Sequence, residues 1–393
     1  MKRGRIAAAL ALAALASQAV AQSVPAPAEP GRLAGRAVAP VGAGYQPQDR
    51  DERGMWMQAE EAERELKRST FVMRDAAINA YLRDVLCRIE SGCADIRTYL
   101  VREATFNASM APNGMMIVHS GLLMRMRDEA QLAAVLGHEV AHYRYRHVLL
   151  GFRDARSKTS AMAWLAMAGI GLIANFGIAG DLFRFSREME AQADAESVPM
   201  LANAGYDTSR AGAIWQQIRD EQDATAAARG TKSRKDKDRS IWASHPPSAE
   251  RLAALAALAT RIPGGKDTAA DRYRATIRPL WPQLIDDEIK RNDFGGTEFL
   301  LTNLAQGNWT ADLLYARGEL YRTRGRPEDL TAAIGFYRQA LAADAGRAEA
   351  YRGLGLAQLR AGQGEDGRQA LRRYLELRPQ AGDAPMLTAL AKG

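Results

Sequence analysis

Histidine is scarce in this 393-residue chain, with five, at positions 119, 138, 142, 147 and 245. That scarcity makes any clustering informative. Cysteine is scarcer still: Cys87 and Cys93 are the only two. Without further Cys or His beside them they make a poor zinc site. An oxidising compartment would permit a disulfide between them, closing a short loop and stabilising modestly. Charge of one sign is also lacking, since 53 Lys and Arg meet 46 Asp and Glu for a formal +7. No nucleic-acid motif accompanies that mild excess, so no nucleic-acid partner is expected, although peripheral contact with an anionic membrane surface stays open. Hydrophobic content of 47% and charged content of 25% suit a globular protein, and the length suits two folded domains.

Long apolar runs are few, and the first reads as a processing signal. Met1-Lys2-Arg3-Gly4-Arg5 is a basic start, Ile6 to Ala16 is apolar, and Ala19-Val20-Ala21 is a small-x-small cleavage site. A mature chain from Gln22 loses Lys2, Arg3 and Arg5, taking the formal charge from +7 to +4. No Cys follows the site, which disfavours a lipid anchor. The expected address is a bacterial periplasm.

The expected layout is a signal peptide (1–21), a flexible Pro/Ala/Gly-rich linker (22–52), a first domain (53–262) and a helical repeat domain (263–393). Trp56 to Glu90 has a helical pattern and Asp95 to Arg102 an extended one. The turn Pro112-Asn113-Gly114 leads into a short strand, Met115 to His119. Asp128, with Gln131 at the capping-box position, begins a helix expected to run to about Leu150, with Leu132, Val135, Leu136 and Val140 as its buried stripe. Ser186 to Ala202 is helical again. Arg219 to Arg239 is polar and basic and reads as a mobile surface loop. His245-Pro246-Pro247 breaks the chain before a helix from Ala249 to Thr260, and Pro263-Gly264-Gly265 marks a boundary. Beyond it Gly318 and Gly325 recur as Gly355 and Gly362, a 37-residue period. Leu314/Tyr351, Tyr337/Tyr374 and Pro379 fit a tetratricopeptide pattern with a three-residue insertion. Two clear repeats need caps, which the helices from Tyr273 to Leu304 would supply.

The chemistry concentrates in His138-Glu139-Val140-Ala141-His142. Histidines four apart on a helix project from one face, so two imidazoles can bind one Zn²⁺. Glu139 lies beside them, suited to taking a proton from the attacking water. A zinc peptidase needs a third protein ligand and an open position. A third histidine six residues after His142 is excluded, because that position is Val148. Glu188, Glu190, Asp194 and Glu196 on the next helix all qualify. Glu190 and Asp194 are four apart, so one can bind metal while the other supports a ligand histidine. The uncharged stretch 161–180 just reaches spanning length but contains Asn175 and four glycines. A single crossing there would put the ligands on opposite sides of the bilayer. A buried helix, or a hairpin touching a membrane, fits better.

Three blocks give the chain a specific resemblance. The first runs from Asn107-Ala108 through Asn113-Gly114-Met115-Met116-Ile117-Val118 to the His138–His142 motif. The second is Ser186-Arg187-Glu188-Met189-Glu190-Ala191-Gln192-Ala193-Asp194. The third is His245-Pro246-Pro247-Ser248-Ala249-Glu250-Arg251. In order and spacing the chain resembles the M48 family of zinc peptidases, in particular its periplasmic branch with C-terminal tetratricopeptide repeats. The resemblance implies an α+β fold: a mainly helical zincin-type metallopeptidase domain with a small sheet, followed by an all-α repeat domain. It implies one Zn²⁺, with Glu190 as third ligand and Asp194 as the acid behind a ligand histidine. It also implies that Met115, Met116, Ile117 and Val118 form an edge strand that pairs with extended substrate. Asn113-Gly114 departs from the usual pair of glycines, and Asn tolerates a left-handed backbone there.

His245 has three readings. It could stabilise the oxyanion of a tetrahedral intermediate, fill the open zinc position until its loop moves, or merely cap the next helix. His147 could bond nearby carboxylates, with no metal role, and His119 is expected to be solvated. The expected reaction is hydrolysis of internal peptide bonds, with Glu139 as general base. The resemblance implies unfolded or misassembled outer-membrane proteins as substrates and the β-barrel assembly machinery as a partner of the repeats. Two rivals are a periplasmic chaperone or adaptor acting through its repeats, and an integral-membrane peptidase.

Overall fold

The computed structural model describes residues 39–158, 185–233 and 248–392, with the backbone of 32–33 and 36–37. The expected signal peptide, the apolar stretch 161–180 and His245 lie outside these residues. Strands β1 (Arg32–Leu33) and β2 (Arg36–Ala37) form a small antiparallel hairpin. Residues 39–52 depart from the expected linker. The Val41 N–H donates to the Arg144 carbonyl, the Tyr45 hydroxyl donates to Glu52, and a helix has begun by Arg50.

The helical stretch expected from Trp56 to Glu90 is two helices, α1 (Arg50–Arg68) and α2 (Ala76–Ile89). Each starts on an aspartate, Asp49 and Asp75, whose side chain accepts first-turn N–H groups. A disulfide joins Cys87 of α2 to Cys93 in the turn that follows.

Strands β3 (Arg97–Val101), β4 (Ala108–Met110) and β5 (Met115–His119) form one sheet in the order β3-β5-β4. Here an expectation is corrected: Met115, Met116, Ile117 and Val118 are not at an edge. They lie in the central strand, parallel to β3 and antiparallel to β4. The reason is burial on both faces. Met115 and Ile117 pack with Leu66 of α1, while Met116 and Val118 join the main core. An unbroken apolar run is the pattern of a strand covered on both sides. Among the described residues, β4 is the sheet edge beside the next helices. The turn before β5 is also built differently from expectation. Gly114 alone takes a positive φ, of 84°, with the Asp95 carbonyl too close for any side chain. Asn113 instead contributes its side chain, which donates to Glu63 at 3.0 Å and accepts from the Met115 N–H at 3.2 Å.

After the short α3 (Ser120–Arg125) comes α4 (Glu129–Arg144), whose Asp128 cap accepts from the Gln131 N–H at 2.9 Å. Every residue of α4 from Glu129 to His142 is buried, so the expected stripe is one side of a helix enclosed all round. It does not run to Leu150. Tyr145 ends it, Arg146 takes a φ of 53°, and α5 (His147–Lys158) starts in a new direction. The helices α6 (Arg187–Asn203), α7 (Arg210–Ala228) and α8 (Ala249–Arg261) follow. Residues 219–228 are therefore helix, not the expected loop. Ile214, Trp215 and Ile218 anchor that helix in the core.

The C-terminal part is entirely helical: α9 (Ala270–Ile277), α10 (Trp281–Lys290), α11 (Phe294–Ala305), α12 (Ala311–Arg324), α13 (Pro327–Ala343), α14 (Ala348–Arg360), α15 (Gly364–Leu377) and α16 (Ala384–Lys392). Helix α12 packs on α13, α13 on α14, and α14 on α15. A Cβ at Gly318 or Gly353 would strike the Tyr337 ring, so small residues there let the helices close on that tyrosine. The main core passes through the expected boundary without a break, from Ile78 to Leu320. Among the described residues, no helix is long and apolar enough to cross a membrane.

Candidate metal centre

Helices α4 and α6 lie against each other and carry the site. The two imidazoles of α4 face one another, His138 Nε2 and His142 Nε2 being 3.0 Å apart. Glu190, in the first turns of α6, closes the triangle. Its carboxylate oxygens lie 3.4 Å from each of those nitrogens. All three side chains are buried. Among the described residues this is the one group of three side chains whose donor atoms could share a metal ion. The spacing suits zinc: bonds of about 2.0–2.1 Å in a tetrahedron put donor atoms about 3.3 Å apart.

The electrostatics also call for a cation. Burial and the Arg251 guanidinium oppose a charge on His138, but bonds from Asp194 and Glu190 outweigh them and push its pKa up to about 9. Burial holds His142 well below the ordinary value. Two imidazoles and one carboxylate are a chemically apt set for one zinc ion, leaving a coordination position for substrate.

Asp194, one turn beyond Glu190, lies 3.0 Å from His138 Nδ1. His147 departs from expectation. Among the described residues it meets no carboxylate; its Nδ1 is 2.8 Å from Nδ1 of His142 and its Nε2 is 2.9 Å from Oε1 of Gln192. The turn at Arg146 makes this possible, because an unbroken helix would carry residue 147 around to another face. His119 also departs: it is buried, with Thr105 Oγ1 at 2.9 Å from its Nδ1. Glu139 is buried on α4, between His138 and His142 in sequence. Phe185 stacks on the His142 ring with centroids 3.9 Å apart.

The sequence blocks included Arg251 without giving it a function. It is fully involved in the site. Its Nε and Nη2 donate to the two Asp194 oxygens at 2.6 and 2.8 Å, and Nη1 lies 3.1 Å from Glu190. The Trp215 ring supports the guanidinium from 3.9 Å. A signal was present: Arg251 occupies the first turn of α8, where the helix dipole disfavours a cation. A buried compensation was needed, and the α6 carboxylates are that compensation. Burial works against the Asp194 charge, but Arg251 and His138 outweigh it and hold the carboxyl below its ordinary range.

The family model described as peptidase family M48 matches residues 72–259, which include every one of these side chains. The chain carries an M48 peptidase domain. Relatives share it. The mitochondrial metalloendopeptidase OMA1 of Schizosaccharomyces pombe is 30% identical over 215 residues, covering 52% of this chain and 58% of the relative. The beta-barrel assembly-enhancing protease of Escherichia coli is 25% identical over 176 residues, covering 40% of this chain and 36% of the relative. The matches thus span between about a third and three fifths of those relatives' own lengths. The M48 domain is a metallopeptidase domain, and the matched residues include His138, His142 and Glu190, which could hold one metal ion, with Glu139 between the two histidines.

Proposed function

We propose that this chain is a zinc-dependent endopeptidase that hydrolyses internal peptide bonds of unfolded or misassembled cell-envelope proteins. The observation that carries this is the buried His138–His142–Glu190 donor set with Glu139 on the same helix. Zinc held by those three donors would polarise a scissile carbonyl and acidify water at neutral pH. Glu139 takes the proton of the attacking water and returns it to the leaving amine nitrogen. Asp194 holds His138 in orientation through Nδ1, and Arg251 holds Asp194. The substrate backbone lies along the sheet edge at β4 (Ala108–Met110), which packs beside α4. Main-chain pairing there demands an extended chain and little sequence preference, which suits unfolded proteins.

The envelope address rests on the sequence pattern of residues 1–21 and on the name of the Escherichia coli relative. The helix pairs α12/α13 and α14/α15 are read as tetratricopeptide-like repeats that recruit substrate or the β-barrel assembly machinery. His245 either stabilises the oxyanion or fills the open metal position.

The test is degradation of an unfolded outer-membrane β-barrel protein by the purified, zinc-loaded full chain. Glu139→Gln should keep zinc and lose about 10²- to 10⁴-fold in rate. His245→Ala should cleave faster if it blocks the metal and slower if it serves the oxyanion. Equal cleavage by wild type and Glu139→Gln refutes the mechanism. No cleavage by wild type or His245→Ala, with zinc bound, favours an adaptor acting through its repeats.

A further inference from the structure

Behind His142, on the side away from the other ligands, lies a second buried chain of polar atoms. His142 Nδ1, His147 Nδ1, His147 Nε2 and Gln192 Oε1 follow one another with contacts of 2.8 and 2.9 Å. All three residues are buried, and they come from three helices, α4, α5 and α6. The Gln192 carbonyl oxygen can only accept. His147 Nε2 therefore carries the proton, and its Nδ1 offers a lone pair. That lone pair accepts the Nδ1–H of His142, which leaves His142 Nε2 as the bare nitrogen, the one facing His138 and Glu190.

We propose that His147 and Gln192 are positioning residues that fix the His142 tautomer and ring orientation so that Nε2 is presented to the metal. The proposal rests on the assignment of His138, His142 and Glu190 as the metal site. The two ligand histidines are then held by opposite means. His138 is braced by the Asp194 carboxylate, which carries charge; His142 is braced by a neutral imidazole backed by an amide. The difference has an electrostatic sense. Glu190, Asp194 and Glu139 already place three carboxylates on α4 and α6 around the site. A further carboxylate behind His142 would add buried negative charge, whereas a neutral acceptor orients the ring without it.

The experiment measures zinc affinity of the full chain by competition with a chromophoric chelator, alongside thermal unfolding of each metal-free protein and the cobalt(II) spectrum. His147→Phe keeps a ring and removes the acceptor. His147→Asn places a carbonyl oxygen where Nδ1 was. We expect His147→Phe to weaken zinc binding about 10- to 100-fold, with a perturbed cobalt spectrum and little change in metal-free unfolding. His147→Asn should recover most of that loss. Gln192→Leu should weaken binding and Gln192→Glu should not. Wild-type affinity in His147→Phe overturns the proposal, as does equal weakening in His147→Asn, which would mean that only the ring's packing matters. Should His147→Phe fail to fold, wild-type affinity in Gln192→Leu overturns it. Failure of the underlying assignment has a different signature: wild-type protein that does not bind one zinc, or that still binds it after His142→Ala.

Discussion

Arg251 is the residue on which most of the centre's charge balance depends. It is buried, pairs with Asp194 through two nitrogens and approaches Glu190 with a third. Removing one partner of such a pair strands buried charge and costs about 3–5 kcal/mol. Arg251→Ala should therefore lower stability by about that amount in chelator-treated protein. A bound zinc ion supplies positive charge to the same carboxylates, so the loss should be smaller in zinc-saturated protein. Urea unfolding with and without zinc measures both, and an identical loss in the two states counts against this account. The candidate metal-binding pair was legible in the sequence because His138 and His142 share a helix face four residues apart. Arg251 was not, because its partners on α6 are 57 and 61 residues away and no periodic pattern links them. His147 was misjudged for a different reason. Its place beside His142 depends on one backbone angle at Arg146, a residue type that seldom takes a positive φ.

Among elements, the sheet shows where pattern and position part. The run Met115 to Val118 identified β5 as a strand, but apolar residues on both faces also made it central. Its entry turn is held by Glu63 of α1, which receives Arg97 at 2.6 and 2.7 Å, Tyr99 at 2.6 Å and Asn113 at 3.0 Å. Burial would raise the Glu63 pKa, but the Arg97 and Tyr99 bonds outweigh it and bring it from 4.5 to about 2. A carboxylate depressed in the folded state binds its proton more readily when unfolded. Its contribution is therefore complete above 4.5 and is lost as pH falls from 4.5 towards 2. Glu63→Gln should be less stable than wild type near neutral pH, with the gap narrowing across that acid range. Urea midpoints at a series of pH values test this, and a gap independent of pH would exclude Glu63 as its source. The helix from Arg210 to Ala228 was not read from the sequence, and its later part, from Arg219, is polar enough to pass for a loop. Contacts with α11 and α8 hold it in place, and those come from distant sequence.

At the scale of the whole molecule, the peptidase part and the helical C-terminal part are joined by more than a linker. Arg125, fully buried at the end of α3, donates to Glu221 of α7 at 2.6 Å and to Glu288 of α10 at 3.0 Å. Tyr273 of α9 donates its hydroxyl to the Leu123 carbonyl at 2.5 Å, and Trp281, Leu284 and Ile285 belong to the same core as Leu123 and Met124. A sequence boundary at Pro263-Gly264-Gly265 therefore marks a change of architecture and not a division of the core. Replacing Glu288 with Leu leaves Arg125 with one carboxylate instead of two in a buried setting, at a cost of about 3 kcal/mol. The unfolding of the whole chain should remain a single transition, because the shared core couples both parts. Circular dichroism and Trp fluorescence should give coincident curves for wild type, with Glu288→Leu shifted to lower urea and still coincident. A chain ending at Ile262 should lose Glu288, one of the two carboxylate partners of Arg125, and Tyr273, the partner of the Leu123 carbonyl, and be rapidly proteolysed. Two separate transitions in the wild type, or a truncated chain as stable as the full one, would show that the parts fold independently and that the Arg125 cluster does not couple the C-terminal helices to the peptidase part.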